Sequence, residues 1–532
     1  MRGTGAIFLF LGLTLACEGG GGRAPLPVPG DIVTPAPDSE SDVRLEPDNT
    51  PPVDSGETIP PGDIVAPLPD SGDTGGDGGF DDTQEDTQED TQEPFVPTLD
   101  PTVCGSEPHT LLASNEVGQV VSFDPRLFLS VMEEVPANLI DELVRAAGYD
   151  RVTAEYGARN FALRYTTQDR GVTTEATTMV GFPVGDLPDG PLPVVLWLHG
   201  TTGASDACAP SAHPQEAELP TTLLPALGFI AVAPDFMGMR GFGEPSPLGA
   251  IHSYLVGEPT AISSLDALRA AVLAAQNDPT LPEPDLSRII LWGGSQGAHA
   301  AFFVDRYAPH YAPEFEIVGA VAAVPATDLV SQATYAMNNY GGATHAFVAA
   351  LTAMHAWYGE VGDLAEIFTD EEPAFIASEA VDLITRQCNI FRAARNAFRE
   401  AGFPDPVIED IFIEPFFSTA AAGDWDDLQP WGCYLAENSV ATSSVPHSSD
   451  TPFLVQYGEL DDLVNTPIQR ADTVRLCDLG YRLEYLECAG ADHVSGILPS
   501  FNYQLEWVRA RLAGEPLTDV CVVNDPMDCD EL

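Results

Sequence analysis

The stretch RIILWGGSQGAHAA, residues Arg288 to Ala301, decides the reading of this chain. Ile289–Ile290–Leu291–Trp292 is a continuous apolar run, the pattern of a strand covered on both faces of its sheet. Ala298 to Ala301 opens an alanine-rich helix. Between them Gly293–Gly294–Ser295–Gln296–Gly297 fits the pattern G-x-S-x-G. A serine on so tight a strand-to-helix turn takes strained backbone angles, and small neighbours let other backbone come close. The following helix then offers the N–H of Gln296 to a developing oxyanion. The bare pattern is weak in a chain with 47 glycines. The strand before it and the helix after it give it weight against the alternative, a glycine-rich loop with a capping serine.

The same alternation continues outward. Upstream, Arg159 to Phe182 reads as an antiparallel pair turning at Asp169–Arg170–Gly171. Pro193 to Leu198 and Gly228 to Ala233 read as buried strands, and Pro259 to Ala275 as a helix. Downstream, strands are expected at Ile317 to Val324, Phe453 to Tyr457 and Leu483 to Leu486, with helices at Thr466 to Leu479 and Pro499 to Leu512. This order predicts an α/β fold: a mostly parallel central sheet flanked by helices on both faces. One crossover helix needs far fewer residues than lie between Val324 and Phe453. A large, mostly helical cap insertion is therefore expected at about 328–446. Most of its many aromatics should form its own core, and a few should line an acyl pocket above Ser295.

A nucleophilic serine needs a base, and the base needs an orienting acid. In alpha/beta-hydrolases they follow the serine in the order acid, then histidine. Well past Ser295 stand His310, His345, His355, His447 and His493. His493 follows the last expected strand, where a loop at the carboxyl edge of the sheet would carry it. The acid should follow the strand Phe453 to Tyr457, and Gly458–Glu459–Leu460–Asp461–Asp462 offers two candidates. The spacing from Gly458 favours Asp461 over Asp462. His447 precedes this acid and is read as a loop residue. The second oxyanion donor should come from His199–Gly200–Thr201–Thr202–Gly203, as the backbone N–H of Thr201 or Thr202, with His199 holding the loop.

With these residues placed, the chain looks like an alpha/beta-hydrolase and, more narrowly, is similar to the secretory lipase family. The narrower likeness rests on Val232–Ala233–Pro234–Asp235–Phe236–Met237–Gly238, Asp266–Ala267–Leu268–Arg269–Ala270, the serine turn, and Tyr311–Ala312–Pro313–Glu314. It spans about residues 105 to 510. The resemblance implies hydrolysis of carboxylic esters, often lipids, with Ser295 as nucleophile, Asp461 as acid, His493 as base, and no metal or other cofactor. The chain departs from the family at Gly294, where an aromatic usually precedes the serine. That departure leaves the acyl preference open.

The N-terminus reads MRGTGAIFLFLGLTLAC, residues 1–17: one arginine, an apolar run too short to span a bilayer, then Cys17. Ala16–Cys17 resembles a lipobox, which would make Cys17 a lipidation site and put the protein on a membrane through an N-terminal lipid anchor. Ordinary signal-peptidase cleavage nearby is the alternative. Residues 18–103 form a linker rich in Pro, Gly and acids, with 21 acids against 2 arginines between residues 18 and 100 and DTQE three times over from Asp82 to Glu93. Such a segment cannot bury enough apolar surface to offset its ordering entropy. The catalytic domain is assigned to 104–532.

The whole chain of 532 residues has 22 basic residues, all arginine, and 81 acidic ones, a net charge of -59. That argues against a nucleic-acid partner, which needs clustered basic residues. It also argues against electrostatic docking on anionic lipid. Eight cysteines remain beyond Cys17, an even number in an exported chain, so disulfides are expected. A bond between Cys388 and Cys433 would staple the cap to itself. The expected function is an exported, lipid-anchored serine carboxylic-ester hydrolase with an ester or lipid substrate. The alternatives are a peptidase or acyltransferase on the same fold, or a catalytically silent surface-binding protein.

Overall fold

The computed structural model describes residues 95–97, 99, 104–146, 152–247, 250–369, 378, 380–381, 388–400, 407–497, 500–529 and 532. The leader with Cys17 and nearly all of the acidic linker lie outside the described residues.

Two short strands, β1 (Val120–Arg126) and β2 (Glu134–Val135), and helix α1 (Ala137–Ala146) precede a long hairpin. Its arms are β3 (Gly157–Asp169) and β4 (Val172–Val184), paired antiparallel from Gly157↔Val184 to Asp169↔Val172. The turn falls on Arg170 and Gly171, both with positive φ. Then come β5 (Leu192–Leu198), α2 (Pro214–Ala226), β6 (Ile230–Pro234), α3 (Gly257–Asn277), β7 (Pro284–Gly294), α4 (Gln296–Tyr311) and β8 (Ile317–Ala323). No helical pattern in the sequence announces α2. Pro220 and Pro225 remove N–H donors inside it, which argues locally against a helix that packing against β3, β4 and β6 sustains.

The segment after β8 carries α5 (Leu329–Asn338), α6 (Gly342–Trp357), α7 (Ile390–Glu400), α8 (Phe416–Ala422) and α9 (Trp431–Glu437). The chain then returns through β9 (Pro452–Gly458), α10 (Thr466–Asp478), β10 (Arg482–Cys488) and α11 (Phe501–Leu512). The ten strands form one mixed sheet in the order β1-β3-β4-β6-β5-β7-β8-β9-β10, with β2 on β3. From β6 to β10 every pairing is parallel, for example Leu196↔Leu291 and Gly294↔Ala323.

Strand residues alternate between two cores, as the period of two requires. Val194, Leu196, Leu291 and Val455 pack with Leu265 of α3 and Phe302 of α4. Val195, Ile290, Val321 and Leu454 pack on the other face with Ile140 of α1, Leu224 of α2 and Val508 of α11. The post-β8 helices form a third cluster around Phe347, Met354, Phe412 and Tyr434. Two motifs that resemble the family serve this packing. Asp235 accepts from Thr177 Oγ1 at 2.6 Å and from the N–H of Ser211 at 2.8 Å. Asp266 accepts from Thr167 Oγ1 at 2.7 Å, from Tyr311 and from Arg269. Burial pushes both carboxyls up to about 6.

The disulfides correct one expectation. Cys388 and Cys433 do not pair with each other. Cys433 bonds Cys104, and Cys388 bonds Cys208 in the loop after β5. The post-β8 helices are thus tied outward, to the N-terminal approach and to the sheet domain. Their own closure comes from packed aromatics. Cys477–Cys521 and Cys488–Cys529 fasten the C-terminal tail to α10 and β10.

His299, one turn into α4, bolts the two parts together. Its Nε2 donates to the carbonyl of Asn438 at 2.8 Å, and Asn438 Oδ1 accepts from the N–H of Gly257. Burial lowers this imidazole from 6.5 to about 4. Its folded-state pKa lies below the unfolded one. Its contribution is therefore complete above the unfolded value and is lost as pH falls through the folded one. The Tm difference between wild type and His299→Gln should be widest above pH 6.5 and shrink toward pH 4. A difference constant with pH would show that His299 is not buried as the neutral form.

Candidate active site

Four loops at the carboxyl ends of β5, β7, β9 and β10 meet at one point. The switch from β7 to α4 is a single residue, Ser295, with φ 55° and ψ −117°. A non-glycine residue there is strained, and structures hold such strain where surroundings over-determine it. Its N–H donates to Ala323 O of β8 at 2.8 Å, which anchors the turn to the neighbouring strand.

Ser295 Oγ donates to His493 Nε2 at 2.9 Å, and His493 Nδ1 donates to Asp461 Oδ2 at 2.7 Å. The other oxygen of Asp461 accepts the N–H groups of Leu463 (3.0 Å) and Val464 (2.9 Å). Asp461 and His493 are buried. The acid is thus held as an acceptor on both oxygens, which fixes the tautomer with Nδ1 protonated and leaves Nε2 to take the serine proton. Asp462 is exposed and takes no part. Asp492 caps its own loop: it accepts from the Ser495 hydroxyl and N–H, which hold its carboxyl below the usual range.

Gln296 is the first residue of α4, so its N–H has no carbonyl one turn back to meet. Its side chain has a partner the sequence did not announce. Gln296 Nε2 donates to His252 Nε2 at 2.6 Å, while His252 Nδ1 donates to Met237 O. Burial takes His252 down to about 4, so it stays neutral and accepts. His252 precedes the serine and lies in a loop between β6 and α3. Chain order directs attention away from it, and only the fold brings it in. His199 holds the loop after β5 as expected: its Nδ1 donates to Gly200 O at 2.7 Å, and its ring stacks on Phe236. His447 stacks on Tyr481, away from the serine.

Gly200, Thr201, Thr202, Ser295, Gln296 and His493 all line one cavity of about 450 Å³. Its far walls are helical: Leu329 and Ala333 of α5, Phe347 and Ala350 of α6, and Phe391 of α7. Of the aromatics in the insertion, Phe347 and Phe391 reach this wall, while Phe368, Phe412 and Tyr434 pack in the helices' own core. The described lining contains no Asp or Glu, in a chain with 81 of them. Among the described residues no cluster of His, Cys, Asp or Glu could hold a metal ion, and no helix is long and apolar enough to cross a membrane.

Comparison with known proteins gives a consistent placement. A family model described as Secretory lipase matches residues 216–394 and 430–520, together just over half of the chain. Lipase 6 of Candida albicans is 23% identical over 347 residues, covering 62% of this chain and 68% of that protein. A Mycobacterium tuberculosis protein named a "probable inactive lipase" is 27% identical over 303 residues, covering 55% of this chain and 57% of that one. The crystal structure of the rice cell wall degrading esterase LipA from Xanthomonas oryzae superposes with a TM-score of 0.58 at 18% identity, covering 74% of this chain and 97% of that chain.

Proposed function

Since the chain belongs to the secretory lipase family, we propose that it is a serine carboxylic-ester hydrolase working through an acyl-enzyme. The observation that carries this reading is the hydrogen-bonded line Ser295–His493–Asp461 at the wall of a largely apolar cavity. Ser295 Oγ attacks the ester carbonyl and gives its proton to His493 Nε2. Asp461 stabilises the imidazolium. The tetrahedral oxyanion is met by the N–H of Gln296 and by a backbone N–H of Thr201 or Thr202. Collapse expels the alcohol, which takes the proton from His493. Water, activated by the same histidine, then releases the acid. An apolar acyl group suits Leu329, Phe347 and Phe391.

Export is supported by the family's secretory character and by four disulfides. Lipidation at Cys17 rests on the sequence of the leader alone. A second reading, a silent surface protein, is favoured by one observation: a relative carries a name that denies it activity. Labelling of the full chain with a fluorophosphonate separates the two. The expected result is one adduct, on Ser295, absent from Ser295→Ala and strongly slowed in His493→Ala. A folded protein that stays unlabelled, with or without a lipid interface, would establish the silent reading.

A further inference from the structure

The loop after β5 carries two adjacent threonines whose hydroxyls differ. Thr201 Oγ1 shares a hydrogen bond with Tyr254 OH at 3.0 Å. Thr202 Oγ1 is shielded from solvent and has no hydrogen-bond partner. Leaving a buried hydroxyl unpaired is costly, so such groups in native structures call for an explanation. Thr202 lines the same cavity as Ser295 and Gln296. The backbone of Gly200 abuts the serine turn, since a Cβ there would lie 3.4 Å from Gly294 O and 3.9 Å from Ser295 Cβ.

The loop is pinned on both sides of Thr202. Thr201 is held by Tyr254. Gly203, at φ 128°, sits so close to Cys208 and Cys388 that a Cβ would come within 2.7 Å of both. The Cys208–Cys388 bond therefore fixes the backbone immediately after Thr202. The backbone that carries this shielded, unpaired hydroxyl is held in place, so the hydroxyl needs only to rotate when charge develops.

We propose that the Thr202 hydroxyl is a third oxyanion donor, acting beside the backbone N–H groups. It rests on the reading of Ser295 as nucleophile. As the Ser295 Oγ–C bond forms, the carbonyl π pair moves to oxygen, and the serine proton goes to His493 Nε2. Thr202 Oγ1–H turns to that oxygen and keeps its proton throughout. The bond is made to the oxyanion of the transition state far more than to the neutral carbonyl of bound substrate. Its loss should then appear in kcat rather than in KM.

The test compares full-length wild type, Thr202→Val and Thr202→Ser on one p-nitrophenyl ester, with Ser295→Ala alongside. Valine keeps the shape and removes the hydroxyl; serine keeps the hydroxyl and removes the methyl. Thr202→Val should lower kcat about 10- to 100-fold with KM within about threefold, against the 10²–10³ typical of an essential oxyanion donor. Thr202→Ser should stay within about threefold of wild type, and fluorophosphonate labelling of Ser295 should slow in step with kcat. Thr202→Val with unchanged kcat, or Thr202→Ser as slow as Thr202→Val, would overturn the donor role while leaving Ser295 as nucleophile. A wild type that neither turns over nor labels would overturn the nucleophile, and the donor with it.

Discussion

Ser295→Ala should remove ester turnover almost completely, with kcat falling about 10⁶-fold, as when nucleophiles of such triads are deleted. Ser295 Oγ is hydrogen-bonded to one ring nitrogen of His493, and Asp461 is bonded to the other. The three act as one unit, so their deletions should not add. Ser295→Ala combined with His493→Ala should be no slower than either alone. Asp461→Asn should cost about 10⁴-fold, because an amide there favours the wrong imidazole tautomer. Asp462→Asn should stay within about twofold, since an exposed side chain away from the site carries little. Steady-state kinetics on a p-nitrophenyl ester decide it. Equal losses at Asp461 and Asp462 would remove the orienting role assigned to Asp461.

The second large effect is on folding, within the same motif. At Gly297 a Cβ would stand 1.9 Å from Leu198 O and 2.7 Å from His199 O. At Gly293 it would meet Gly297 O at 2.2 Å. Both neighbours are backbone in packed strands and helices and cannot rotate away. Gly297→Ala and Gly293→Ala should each lose at least about 3 kcal/mol, the upper end of overpacking, or fail to fold. Gly294 is different. A Cβ there would meet the Ile497 side chain at 3.5 Å and Ala323 O at 4.0 Å, both ordinary contacts. Gly294→Ala should therefore change stability by less than about 0.5 kcal/mol. The glycine that departs from the family's aromatic is thus the one that could be replaced. Its effect is space beside Ile497 in the cavity wall. Denaturant midpoints of the three variants check the ranking, and an unstable Gly294→Ala would reverse this account of the turn.

The elements nearest the serine were the most legible in the sequence, for a physical reason. A strand buried on both faces must be apolar throughout, and a strand-to-helix turn packed against backbone must be glycine on both sides. Those demands write themselves into residues 288–301. Parallel strands also place their following loops along one edge. The order of β7, β9 and β10 therefore suffices to bring Ser295, Asp461 and His493 to one place. Contacts that need three dimensions were not legible. His252 meets Gln296 across 44 residues through a loop with no periodic signal. The partner of Cys433 lies 329 residues away, and the number of cysteines says nothing about which are neighbours. α2 was hidden by its own prolines.

Cys104–Cys433 also decides how this molecule bears tension. A pull on the chain ahead of Cys104 does not travel first along the backbone to the edge strand β1. It crosses the sulfur bridge to Cys433 in α9 and loads the helices that roof the cavity. With the bridge intact, residues 105–432 form a closed covalent ring that cannot lengthen end to end. Strands β1 to β8 and the serine turn lie inside this ring and are shielded from such a load, while β9 and β10 follow it. Once the bridge is reduced, the same pull would peel the protein from its first strand.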